Sequence, residues 1–271
     1  MPDKIGFIGI GIQGGPMAHR IAGAGMDLTV WARRPEALEA YVAKGCTAAA
    51  SVAEMGAICD HVGLCVVNDD DVFFITNQLV PMMKPGSRIA IHSTILPESC
   101  ITLAAQCAAL GIGLIDAPVS GGAPGAEAGT LTVMCGASEA DFAAARPVFE
   151  TFGKLIVLLG PPGAGQRAKI INNAMLSAHM GVAMAALEAA DALNIDREAF
   201  IELINASSGR SYGFEVFARL PSPAAFATGA PLLLKDMNLL KAILPGNPGA
   251  SEIDAIAARF LAAANAGDAP K

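Results

Sequence analysis

Short apolar runs alternate with stretches of helical periodicity through the first part of the chain, and beyond Pro161-Pro162-Gly163 the pattern is helical throughout. The apolar runs predict strands over 4–9, 27–31, 61–67, 87–92, 112–117, 129–135 and 154–159. Helical spacing predicts helices over 15–24, 35–44, 51–56, 71–80, 97–110 and 138–150. Strands separated by helices specify an α/β class: a Rossmann-like, doubly wound parallel sheet whose ligand belongs at the carboxyl ends of the strands.

The Pro-Pro-Gly break divides the chain into 1–161 and an all-helical 162–271. One long helix joins the two, from 163 to 191, with no breaker after its opening until Gly181. Apolar residues occupy all its faces (Ile170, Ile171, Met175, Val182, Leu187), which predicts a buried central helix. Further helices are expected over 196–206, 232–244 and 251–264, with a loop at 207–213 and a fraying tail at 265–271.

Against its apolar background the long helix carries Lys169, Asn172 and Asn173, whose spacings of three and four put both amides beside the lysine on one face. Near a helix start and in apolar surroundings, the ammonium form is disfavoured, which suits a proton donor and acceptor. Asn173 can hold an amine or a substrate oxygen without adding charge. The plainer reading is a core-helix lysine reaching out to solvent.

The first strand runs into Gly9-Ile10-Gly11-Ile12-Gln13-Gly14, then a helix and a second strand, the context that the dinucleotide fingerprint requires. Gly9 serves the tight turn, Gly11 the close approach of a pyrophosphate and Gly14 helix-on-strand packing, with the pyrophosphate on the helix N-terminus. The first domain is therefore a dinucleotide-binding domain. At the end of the second strand stands Trp31-Ala32-Arg33-Arg34-Pro35, with no carboxylate before Glu36. Guanidinium groups there suit a 2′-phosphate, so NADP is favoured over NAD, which remains possible.

Asn68 and Thr94 stand at later strand ends, where cofactor contacts are expected. Thr94 can reach the nicotinamide ribose or ring, or cap the helix that follows. Ser120-Gly121-Gly122 offers a hydroxyl and unobstructed N–H groups, a turn suited to a small carboxylate. Lys235-Asp236 follows Pro231 at a helix opening, where the lysine either reaches a cleft or forms a surface ion pair.

Composition narrows the partners. A net charge of −7 argues against nucleic acid and anionic membrane, and the 53% apolar content suggests surface buried between subunits, as in a homodimer or homotetramer. The six cysteines form no CxxC pair and the four histidines are scattered, so no metal or disulfide is expected. With no leader pattern, a cytoplasmic enzyme is expected.

Three stretches, in order, resemble the β-hydroxyacid dehydrogenase family, whose members include 3-hydroxyisobutyrate dehydrogenase, tartronate semialdehyde reductase and the glyoxylate/succinic semialdehyde reductases. They are Gly6-Phe-Ile-Gly-Ile-Gly-Ile-Gln-Gly-Gly-Pro-Met-Ala, Asp116-Ala-Pro-Val-Ser-Gly-Gly and Gly165-Gln-Arg-Ala-Lys-Ile-Ile-Asn-Asn. Lys235-Asp236-Met237 resembles a fourth landmark, and the resemblance spans nearly the whole chain. It implies Lys169 as catalytic lysine with Asn173 as its positioning partner, and Ser120, Gly121 and Gly122 as the substrate-carboxylate turn. It also implies Thr94 and Lys235 at the nicotinamide end and Arg33 beside the 2′-phosphate.

The reaction so implied is hydride transfer between NADP and a small semialdehyde acid or its hydroxy acid. Two alternatives stay open: an imine reductase, which shares only the first domain, and a non-catalytic NADP-binding module. The departures from the pattern are specific. Gln13 replaces a usual methionine, which alters pyrophosphate packing. Asn172 stands where phosphogluconate dehydrogenases carry histidine, which argues against phosphosugar decarboxylation. The chain after Leu244 is abbreviated, so the last helices and oligomer interface are expected to differ.

Overall fold

A computed structural model describes residues 3–266; of the tail expected to fray, 267–271 lie outside the described residues. The chain forms two compact units, 1–169 and 170–271.

The first unit runs β1 (Ile5–Ile8), α1 (Gly14–Gly23), β2 (Leu28–Trp31), α2 (Glu39–Val42), β3 (Thr47–Ala48), α3 (Val52–Ile58), β4 (His61–Leu64), α4 (Asp69–Leu79) and β5 (Arg88–Ile91). It continues with α5 (Pro97–Ala108), β6 (Gly113–Asp116), β7 (Val119–Ser120), α6 (Gly122–Ala128), β8 (Leu131–Gly136), α7 (Glu139–Phe149) and β9 (Gly153–Gly160). The strands make one nine-stranded sheet, ordered β3-β2-β1-β4-β5-β6-β8-β7 with β9 beside β8. Because β1 is flanked by β2 and β4, the winding reverses at β1, the switch point beside which a Rossmann sheet opens its crevice.

The central strands are apolar because both their faces are covered: β1 and β4 are buried at every residue. One face packs Met17, Ile21 and Phe149, the other Met55, Leu79 and Leu103. Side-chain oxygens of Ser51, Asn68 and Ser138 cap α3, α4 and α7. Each such cap contributes about 1 kcal/mol.

The sheet is parallel from β3 to β6 and again between β8 and β9. Strand β8 runs antiparallel to both β6 and β7, which corrects the all-parallel expectation. After β6 the chain passes straight into β7 and a helix of seven residues, too little for the crossover that a parallel neighbour needs. The expected helix over 35–44 is also split, into a 3-10 turn at Pro35–Leu38 and the short α2.

The helix that links the units, α8 (Ala164–Ala192), has 29 residues. The second unit adds α9 (Arg197–Ala206), α10 (Tyr212–Ala218), α11 (Ala230–Ile243) and α12 (Pro248–Asn265). Its core gathers Ile170, Met180, Met184 and Leu187 of α8 with Phe214, Met237 and Phe260. Gly181 keeps its place inside α8 because a Cβ there would lie 2.3 Å from the Ile256 carbonyl oxygen of α12.

The expectation of burial on every face is corrected: Ile171, Met175 and Val182 are 42%, 47% and 55% exposed. Spaced by four and seven, they form an apolar stripe along one side of α8. By length and composition α8 could cross a membrane, yet half of its most apolar window is buried in the fold, the position of a core helix.

Candidate active site

The glycine loop behaves as its spacing predicts. Gly9 has φ +93°, and a Cβ there would lie 2.1 Å from the Cys65 carbonyl oxygen. Gly14 opens α1 so close to the sheet that a Cβ would lie 2.0 Å from the Gly9 oxygen. At Gly11 a Cβ would meet nothing within 4 Å, leaving space where a ligand's backbone approach is needed. Gln13 is the N-cap of α1 without a side-chain cap bond, and no acidic residue stands in the first turn, so that positive helix end is open to an anion.

Beside the loop lies a cavity of about 590 Å3, lined by Gly9, Ile10, Gly11, Arg33, Asp71 and Phe74 among others. These residues fit the adenosine half of a dinucleotide: an exposed guanidinium, an aromatic face and an uncapped helix end. Arg33 lies 3.5 Å from Asp71, a carboxylate in the first turn of α4 that the sequence reading did not assign. Ile12 is exposed at the loop tip. Asn68 does not line this cavity; its side-chain oxygen accepts from the Asp71 N–H at 2.9 Å and caps α4.

The carboxyl ends of β5 and β6 meet the start of α8. Asp116, fully buried, accepts from the backbone N–H of Gly163 at 2.6 Å and of Gln166 at 2.8 Å. Gly165 permits this contact, since a Cβ there would lie 2.8 Å from the Asp116 carboxylate and 2.2 Å from the Met134 oxygen. Burial pushes the Asp116 carboxyl up to about 6, against the opposing pull of these N–H donors. The positive end of α8 is thus met by a carboxylate of the same fold.

Gln166, also fully buried, accepts from Ile95 N at 3.1 Å and donates to the Ser93 carbonyl at 2.8 Å. Thr94 lies between those two residues and is partly buried. It does not cap α5, whose N-cap is Leu96. Lys169 follows Gln166 by three positions on α8 and is 9% exposed. Ser120 ends β7, in register with Thr132 of β8, and the Gly121-Gly122 turn opens α6, a helix without a side-chain cap.

In the second unit Asn173 is equally buried, and its amide donates to Asp236 at 2.5 Å. Lys235 Nζ lies 3.1 Å from the other Asp236 oxygen. Lys235 sits in the second turn of α11, which begins at Ala230 rather than beside it. Asp236 and Gln166 lie inside the sequence motifs, but nothing in the local pattern signalled their partners.

The histidines stay outside this chemistry. His61 and His92 are core residues packed edge-on against Phe149, held neutral by burial with pKa values lowered to about 3 and about 4. Among the described residues no cluster of His, Cys, Asp or Glu is arranged to hold a metal ion.

Residues 4–160 match the family described as the NAD-binding domain of 6-phosphogluconate dehydrogenase, and 163–271 that described as the NAD-binding domain of NADP-dependent 3-hydroxyisobutyrate dehydrogenase. The chain is 36% identical over 250 residues to 2-(hydroxymethyl)glutarate dehydrogenase of Eubacterium barkeri, covering 91% of this chain and 83% of that protein. It is 34% identical over 255 residues to an NAD-dependent L-serine dehydrogenase of Pseudomonas aeruginosa, covering 87% and 83% respectively. Among solved structures, a Mycobacterium tuberculosis 3-hydroxyisobutyrate dehydrogenase with L-serine superposes with a TM-score of 0.85 at 27% identity, over 99% of this chain and 100% of that one.

Proposed function

Because the chain belongs to the β-hydroxyacid dehydrogenase family and is an NAD(P)-dependent dehydrogenase of CH–OH groups, we propose that it interconverts a small semialdehyde acid and its hydroxy acid, with NADP preferred and Lys169 as proton donor and acceptor. The observation that carries this reading is the near-complete burial of Lys169 on a helix whose start is pinned to the carboxyl ends of β5 and β6.

The nicotinamide, when bound, supplies the hydride. The chain's residues do the rest. Lys169 Nζ gives its proton to the alcohol oxygen in reduction and takes it back in oxidation. Asn173, four positions after Lys169 on α8 and with its amide donating to Asp236, is the positioning partner that the family resemblance implies. The Ser120 hydroxyl and the N–H groups of Gly121 and Gly122 hold the substrate carboxylate at the start of α6, and Thr94 and Lys235 attend the nicotinamide end. Arg33 takes the 2′-phosphate by charge-assisted bonds. Cells keep NADP mostly reduced, so reduction of the semialdehyde is the favoured direction.

The substrate class is that of glyoxylate, succinic semialdehyde, tartronate semialdehyde and methylmalonate semialdehyde. We assign 1–161 to the dinucleotide and 162–271 to substrate and self-association. The exposed stripe of Ile171, Met175 and Val182 supports a homodimer or homotetramer.

The test is a panel of these semialdehydes with NADPH, run on the parent protein and Lys169→Ala. The alanine variant should fold and bind NADPH nearly as well while kcat falls at least about 100-fold, the range for losing a general acid. Its pH profile should also lose one limb. Near-normal turnover in the variant would remove Lys169 from the chemistry.

A further inference from the structure

We propose that Gln166 is a positioning residue, which fixes the backbone around Thr94 against the helix that carries Lys169. This rests on the roles given above to Thr94 and Lys169. The amide of Gln166 makes two bonds, one to each peptide group flanking Thr94: it accepts from Ile95 N and donates to Ser93 O. One side chain on α8 therefore replaces the strand neighbour that the backbone loses where β5 ends at Ile91. Gln166 and Lys169 are three positions apart, on one face of the same helix.

The loop is tied on its other sides as well. Ser93 Oγ accepts from Val66 N at 2.8 Å, linking it to the end of β4. Asp69 Oδ1 accepts from Leu96 N at 3.1 Å and from the Ser99 hydroxyl at 2.6 Å. Of these ties, Gln166 alone reaches the helix of the proton donor. Asp116 steadies it from below by accepting from the Gln166 backbone N–H. Thr94 stands at the cofactor end and Lys169 at the alcohol oxygen, so this amide sets the separation of the hydride and proton partners. A misplacement of about 1 Å between such groups costs about 100-fold in rate.

An amide does not titrate between pH 4 and 10, so the role predicts a rate defect with a normal pH profile. Gln166→Met keeps the volume and loses both bonds; Gln166→Glu keeps the shape and the acceptor oxygen facing Ile95. In the Met variant kcat should fall about 30- to 100-fold. The Kd for NADPH should stay within about threefold, both limbs of the pH profile should remain, and the primary isotope effect with 4-deuterated NADPH should rise. The Glu variant, which sets an oxygen against the Ser93 carbonyl where the amide donated, should lose at least as much. Combined with Thr94→Ala, the Met variant should lose less than the product of the two single effects, because one acts through the other.

The proposal is overturned if kcat of the Met variant stays within about threefold of the parent. It is also overturned if NADPH affinity falls as far as kcat, if the double variant is multiplicative, or if neither variant folds, which would make Gln166 a stability residue alone. If Lys169→Ala keeps its turnover, the proton-donor assignment fails instead, and the Gln166 data remain readable through cofactor geometry.

Discussion

The side-chain amide of Asn173 donates to the buried carboxylate of Asp236 at 2.5 Å, while its oxygen accepts from the Asn172 amide at 3.2 Å. Asn173 is thus an oriented group within a polar chain that runs from Lys235 through Asp236, not a freely turning amide. Asp236→Asn should cost about 1.5–3 kcal/mol of stability by removing a charge-assisted partner. It should also lower kcat about tenfold, because an Asn173 amide that turns holds the proton site less well. Urea denaturation and steady-state rates check both; unchanged values would reduce the chain to decoration.

The proposed preference for NADP rests on Arg33. Arg33→Asp should weaken NADPH at least about tenfold and NADH little, since a charge-assisted bond to phosphate becomes a repulsion. Asp71, 3.5 Å from the guanidinium, would add to that repulsion. Dissociation constants for both dinucleotides decide the matter, and an equal loss for each would dismiss the 2′-phosphate assignment.

The substrate turn predicts a different split. Ser120→Ala should chiefly raise KM for the acid, because the carboxylate it holds keeps its charge throughout the reaction. A collapse of kcat at unchanged KM would move Ser120 into the proton transfer.

Acid stability has a definite sign. His61 and His92 are held neutral in the fold, with pKa values near 3 and 4 against an ordinary 6.5, so the unfolded chain takes up protons first as pH falls. Their stabilising contribution is complete above pH 6.5 and is lost below it, at about 1.4 kcal/mol per pH unit for each. Asp116, raised from 3.8 to about 6, works the other way between those values, because the fold takes its proton first. Two slopes against one leave acid destabilisation the winner. His61→Leu, which removes a ring whose nitrogens have no hydrogen bond, should flatten the loss measured between pH 7 and pH 5. An unchanged slope would mean that His61 is not the proton acceptor.

The sequence carried the glycine loop, the long helix and every strand but the two-residue β3 and β7, because each rests on local periodicity or on a turn. It did not carry α6, since Gly122-Ala-Pro-Gly125 has poor helix propensity and is held by packing against Leu131. Nor did it carry the partners of the site residues. Asp116 meets Gly163 across 47 positions, Asn173 meets Asp236 across 63 and Gln166 meets Ile95 across 71. Such contacts are made by tertiary closure, and no window of local pattern reaches that far.

Three helices of this molecule begin on glycine-rich turns: α1 after Gly9-Gly11, α6 at Gly121-Gly122 and α8 after Gly163. Each of these helix starts is a positive pole. One carboxylate breaks the tie. Asp116 fills the third pole from within, accepting from Gly163 and Gln166, whereas α1 and α6 carry no side-chain cap, so the fold neutralises the helix start that leads to the lysine and leaves the other two uncapped.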